Sequence, residues 1–143
     1  MALPNGAGGY QLGDGNLNET TLGYMSAPTT NTGVTAVTLT AAEVTDDVLV
    51  LNPGTTATAY TLPIVVTAGG VTGVNDVVSS AKVGSTFQLT VINIGTSSGT
   101  GTMTAAAGSG WSIVGSATVT YGTSAQFIAR KSSDTTWVLY RAA

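Results

Sequence analysis

A serine nucleophile needs a base, and this chain offers none of the usual kind. Gly95-Thr96-Ser97-Ser98-Gly99 matches G-x-S-x-G, but the 143 residues contain no histidine, so the stretch reads as a hairpin loop. Ser79-Ser80-Ala81-Lys82 matches S-x-x-K, where a lysine can activate a serine, yet neither S-D-N nor K-T-G accompanies it. Asp14-Gly15-Asn16-Leu17-Asn18 opens like a calcium loop, with oxygen ligands at alternate positions. It departs from that pattern at Glu19, where the sharp turn wants glycine, and at Met25, where the bidentate glutamate belongs. Asp46-Asp47 supplies two carboxylates, but sequence neighbours on a strand point to opposite faces and cannot flank one glycosidic bond. Charges at a strand edge that discourage stray pairing explain them better.

The remaining motifs are equally bare. Gly13-Asp14-Gly15, Gly99-Thr100-Gly101 and Gly108-Ser109-Gly110 begin G-x-G without the third glycine or the helix that a phosphate cradle needs. Asn18-Glu19-Thr20 is a glycosylation triplet that matters only in a chain secreted by a eukaryote. Cysteine is absent, which excludes disulfides, thiolate chemistry and a Cys-based zinc site. The expectation is a protein with no catalytic residue, no metal and no cofactor, which is not an enzyme.

The composition describes the elements that such a protein would be built from. Charged residues make up only 8 % of the chain while Thr, Gly, Ala, Val and Ser dominate, a balance that favours strands and tight turns over helices. Length fits one domain with a real core. Asp14, Glu19, Glu43, Asp46, Asp47 and Asp76 all precede the first basic residue, Lys82, whereas Asp134 alone joins Lys82, Arg130, Lys131 and Arg141 afterwards. No basic patch could neutralise a run of phosphates, so nucleic acid is not an expected partner. Thr, Gly, Ser and Asn interrupt every apolar run well short of the ~18 residues of a membrane helix, so no membrane is expected either. Met1 to Tyr10 lacks the basic start of a secretory signal, and the chain is expected to stay where it is made.

Along the chain, residues 1–33 read as an extended N-terminal arm, since Gly6, Gly8, Gly9, Gly13, Gly15 and Gly23 disfavour regular structure. Leu3, Tyr10, Leu12, Leu17, Leu22, Tyr24 and Met25 are spread through it, which suits a segment that orders against a partner surface. Residues 34–143 read as an all-β domain. Val34 to Leu39 alternates as a strand; Thr40-Ala41-Ala42-Glu43 has capping-box spacing for one helical turn; Val48 to Leu51 is continuously apolar and is expected to be buried on both faces. A strand over 58–62 stops at Pro63, residues 64–83 read as a long loop with a helical turn around Asp76 to Ala81, and strands follow near 86–93, 101–106, 111–114, 117–120, 125–130 and 136–141. Short strands at that spacing suit two packed antiparallel sheets, with Phe87, Trp111, Phe127 and Trp137 as core anchors.

The ordered series Thr61-Leu62-Pro63, Lys82 to Phe87, Val91 to Gly95, Ala105 to Gly108, Gly115, Gly122-Thr123 and Trp137 to Tyr140, preceded by Leu39 to Glu43, resembles small β-sandwich proteins of tailed-bacteriophage virions. The likeness is closest to capsid decoration (cement) proteins and looser to fibre modules, and it covers roughly residues 34–143. It implies a jelly-roll-like antiparallel β-sandwich that forms a homotrimer on the capsid exterior, holds to the major capsid protein through the arm, and assembles in the host cytoplasm. Residues 64–83 depart from the pattern. Two other classes stay open: a fibre or receptor-binding β-module that recognises a host surface glycan, and a hydrolase grafted on a β-sandwich.

Overall fold

The computed structural model describes residues 27–28, 30–96 and 100–143. Among the described residues, ten strands and two short helices run in the order β1 (Thr30–Asn31), β2 (Val37–Thr38), α1 (Ala41–Thr45), β3 (Val48–Leu51), β4 (Thr58–Thr61), α2 (Val74–Val77), β5 (Thr86–Asn93), β6 (Met103–Ala106), β7 (Trp111–Val114), β8 (Thr118–Val119), β9 (Ser124–Ser133) and β10 (Thr136–Arg141). They form a six-stranded sheet, β1-β3-β5-β9-β10-β7, and a four-stranded sheet, β2-β4-β6-β8. The fold is all-β, as composition and alternation imply.

The pairing corrects the antiparallel expectation: both sheets are mixed. From β1 to β6 the chain crosses from one sheet to the other after every strand and re-enters each sheet in its original direction. Parallel neighbours follow from that path. β1, β3 and β5 pair in parallel in the large sheet, and β2, β4 and β6 do so in the small one. The first half is therefore a coil of three turns. Antiparallel pairing enters only when β9 lies down beside β5, β10 returns from β9, and β8 pairs with β6. β7 closes the large sheet in parallel with β10.

One corner of the coil repeats. Asn31, Asn52 and Asn93 stand at the ends of β1, β3 and β5, and each side-chain oxygen accepts the amide two residues on, from Gly33 at 3.0 Å, Gly54 at 3.1 Å and Gly95 at 2.8 Å. This is the local turn chemistry of asparagine used at three stacked levels. Asn52 N–H donates to Asn31 O and Ile94 N–H to Leu51 O, which ties each corner to the one before it. Gly95 is confined there: a Cβ would lie 2.8 Å from Gly101 O and 3.0 Å from the Pro53 ring.

Alternation sets the core. Leu49, Leu51, Leu89, Val91, Phe127, Ala129, Trp137 and Leu139 face inward from the large sheet and meet Tyr60, Met103, Ala105 and Val119 from the small one. Trp111, Phe127 and Trp137 are buried as expected, whereas Phe87, at the start of β5, is only half-buried and packs its ring 5.2 Å from that of Trp137. β3 also departs from expectation. Leu49 and Leu51 are buried, but Val48 and Val50 on the opposite face are half-exposed.

The strand expected over 34–39 shrinks to Val37–Thr38, because Ala36 takes φ 36°, a left-handed value that interrupts extended backbone. Thr30 and Asn31, within the stretch expected as arm, pair with β3. The capping box forms in full: Glu43 N–H donates to Thr40 Oγ1 at 3.2 Å and Thr40 N–H to Glu43 Oε2 at 2.7 Å. The helical turn in the 64–83 stretch falls at 74–77, slightly earlier than expected. That stretch is pinned to the body by both tryptophans, whose indole N–H groups donate to Pro63 O (Trp111, 2.8 Å) and Asn75 Oδ1 (Trp137, 2.9 Å).

Candidate functional site

The reactive motifs do not assemble among the described residues. Lys82 is engaged through its backbone, its N–H donating to Ser85 Oγ at 3.0 Å, and no hydrogen bond joins its amine to Ser79. Asp46 caps α1, and Asp47 takes φ 55° in the corner that leads to β3, where its carbonyl accepts Thr90 N–H at 2.7 Å. Aspartate tolerates that left-handed geometry better than most residues, which is the local reason for the second carboxylate. In the Gly95 to Gly99 loop, Gly95 and Thr96 extend the stacked corner, with Thr96 N–H donating to Gly54 O; Ser97, Ser98 and Gly99 lie outside the described residues. So do the whole calcium-like stretch and the arm residues Leu3, Tyr10, Leu12, Leu17, Leu22, Tyr24 and Met25. Among the described residues no three His, Cys, Asp or Glu side chains group as metal ligands would.

What the fold does build is contact surface. Outward-facing side chains of the large sheet form cross-strand rows: Gln88, Ile128, Tyr140 and Val114 lie side by side, as do Val50, Ile92 and Ser124. Among the described residues, Arg130 is the single charged one that alternation places on this face. Tyr140 is 37 % and Val114 51 % exposed, so the first row is open to a partner. The inserted stretch adds four more exposed apolar side chains, Val66, Val71, Val77 and Val83. Such charge-depleted, apolar-rich surface is characteristic of buried interface centres.

A groove runs along α1 beside the first turn of the coil. Its larger part, about 700 Å³, is bounded by Asn31, Thr38, Glu43, Asp46, Val48 and Val77, and it continues into a more apolar stretch of about 510 Å³ between Leu39, Ala41, Val71 and Val77. Of the two acids that line it, Glu43 is already engaged. Glu43 takes Thr40 N–H and Oγ1 on one oxygen and Asn31 Nδ2, at 3.0 Å, on the other. It holds the cap and the first corner together.

Tyr60 secures that corner from below, its buried hydroxyl donating to Gly33 O at 2.7 Å. Burial disfavours the phenolate and raises the Tyr60 pKa above its ordinary value. The folded protein thus keeps this proton to higher pH than the unfolded chain does, so the contribution is complete below about pH 10 and is lost as pH rises beyond it. The midpoint of urea unfolding should hold level on the neutral side and fall above about pH 10. In Tyr60→Phe the alkaline fall should be shallower; an unchanged fall would assign it to other groups.

The signal that sequence reading passed over is the asparagine corner. N-x-G at 31, 52 and 93 is visible in the primary structure, but its spacing is uneven because residues 64–83 lengthen one turn. Lys131 is a second surprise: it is buried, with its amine donating to Ala81 O at 3.0 Å. Comparison with protein-family models, with curated proteins and with solved structures finds no match.

Proposed function

We propose that this chain is a structural protein of a tailed-bacteriophage virion, one that binds the outer surface of the capsid and stabilises it as a decoration or cement protein. The observation that carries the reading is the charge-depleted outer face of the large sheet, alongside the separately exposed valines of the 64–83 stretch. A surface of that kind acts by adhesion. A protein that bridges joints in an assembled shell favours the shell over its separated subunits by mass action.

In this reading the partner is the major capsid protein, contacted by the part of the N-terminal arm ahead of β1, since Thr30 and Asn31 pair with β3. The chain forms a homotrimer in which closed symmetry covers apolar surface that a lone subunit exposes. The body is jelly-roll-like in having two facing sheets joined by strands that cross between them, although its parallel coil departs from an all-antiparallel jelly roll. The site of action is the capsid exterior.

The test is addition of purified protein to undecorated phage heads. The expected result is saturable co-sedimentation with a raised disruption temperature, and a trimer mass in solution. A monomer at high concentration that leaves heads unchanged would overturn the proposal. Retention on a glycan array in the same preparation would place the chain among receptor-binding fibre modules instead.

A further inference from the structure

Charge is segregated in this fold. Among the described residues, four of the five acids, Glu43, Asp46, Asp47 and Asp76, lie on α1, at its exit or on α2. The four bases, Lys82, Arg130, Lys131 and Arg141, lie on β9 and β10 or in the approach to β5. Because α1 packs against α2, the four acids share one corner of the molecule. Glu43 is taken up by the helix cap and Asn31, whereas Asp46, Asp47 and Asp76 are exposed.

On each side a charge stands beside exposed apolar side chains. Arg130 is exposed on the outer face of the large sheet, paired with Val138, and the next row on that face is Ile128, Tyr140 and Val114. Tyrosine and arginine are among the residue types that most often anchor a contact between proteins. At the helical corner, Asp46 lines the same groove as Val77, which is 44 % exposed, and Val71, 56 % exposed, lies with Val77 in the apolar part of that groove. The two patches are alike in apolar content and opposite in sign. Complementary charge of this kind steers encounter and fixes register between partners.

We infer that a second copy of this chain docks its α1–α2 corner on the outer face of the large sheet. Asp46 of one copy is set against Arg130 of the next, and Val71 and Val77 against the row of Ile128, Tyr140 and Val114. The inference rests on the reading that the chain self-associates, and it names the two surfaces that meet. Unlike surfaces that meet head to tail close into a ring when the rotation allows it, and a trimer is such a ring.

Charge exchange tests the contact, with sedimentation equilibrium of the full chain as the measurement. R130E sets two carboxylates against each other and D46R sets two guanidinium groups together, so each is expected to weaken association at least about tenfold. R130E/D46R restores opposite signs with the pair exchanged, and most of that loss should be recovered. Both side chains are exposed, so urea midpoints are expected to stay near that of the unsubstituted protein, which tells a lost contact from a lost fold. If a reversal unfolds the chain, R130Q or D46N takes its place, each expected to weaken association about threefold or more. Association that neither substitution changes, or that the double variant fails to recover, would overturn this contact while a trimer stands. A dimer that answers to the reversals keeps the contact and overturns the trimer; a monomer at high concentration overturns both.

Discussion

Truncating Trp137 to alanine is expected to lower the unfolding free energy by about 3–5 kcal/mol, the range for deleting a large buried aromatic. The ring is 1 % exposed and sits between Phe87, 5.2 Å away by ring centroids, and Trp111, 6.1 Å away. Little around it can collapse into the void, because Trp111 is held by its own hydrogen bond to Pro63 O. The loss has a second component. Trp137 Nε1 donates to Asn75 Oδ1, and Asn75 Nδ2 donates in turn to Asp134 O at 2.7 Å, so the indole helps hold α2 to the β9–β10 hairpin. Trp137→Phe keeps most of the packing but drops that donor, and should cost about 1–3 kcal/mol. Urea unfolding followed by far-ultraviolet dichroism measures both; a loss below about 1 kcal/mol for the alanine variant would mean that the ring adds little to the core.

The tryptophans also show which parts of the fold were legible. Alternation in Thr86 to Asn93, Trp111 to Val114 and Thr136 to Arg141 states which side chains turn inward, and those strands lie where the pattern puts them. Thr40 and Glu43 announce a helical turn because a capping box is a local device, complete within four residues. Strand partners are another matter. Whether Val48 to Leu51 pairs in parallel with β5 depends on the path of the chain between them, and side-chain alternation carries no information about that path. Ala36 interrupts a strand through its backbone angle while looking like any other strand residue. The groove along α1 arises from α1, β2, β3 and α2 meeting, and no single stretch of sequence contains it.

Asn93 shows what alternation does state when a polar residue is read literally. It shares a face with Leu89 and Val91, so it must point into the core, and it is 1 % exposed there. Its Nδ2 donates to Gly101 O and to Val119 O, each at 2.9 Å, and its Oδ1 accepts Gly95 N–H at 2.8 Å. One side chain thus joins the third corner of the coil to the approach to β6 and to β8. Asn93→Leu matches the volume but takes the side-chain partner from the Gly101 carbonyl and the Gly95 amide in a buried site, and one of its donors from Val119 O, which also pairs in the β6–β8 ladder. At about 1–3 kcal/mol for each of the two orphaned groups, the loss should reach at least about 2 kcal/mol.

Asn93→Asp tests the same geometry by charge. The introduced carboxylate keeps the acceptor for Gly95 but faces two carbonyl oxygens with no hydrogen to offer, and burial opposes its ionisation. Its pKa in the folded state should therefore rise above the value of about 4 in the unfolded chain. The sign follows: the unfolded state releases the proton first, so destabilisation grows as pH rises through that range and eases as pH falls below it, where the protonated acid can donate to one carbonyl. At neutral pH the cost should be about 3–5 kcal/mol, comparable to stranding a buried charge. Parallel urea titrations of the aspartate and leucine variants at about pH 4 and pH 7 separate the two effects, because only the aspartate variant should recover in acid. Equal losses at both pH values would mean that the introduced group reaches water, and that the asparagine is less enclosed than its three hydrogen bonds require.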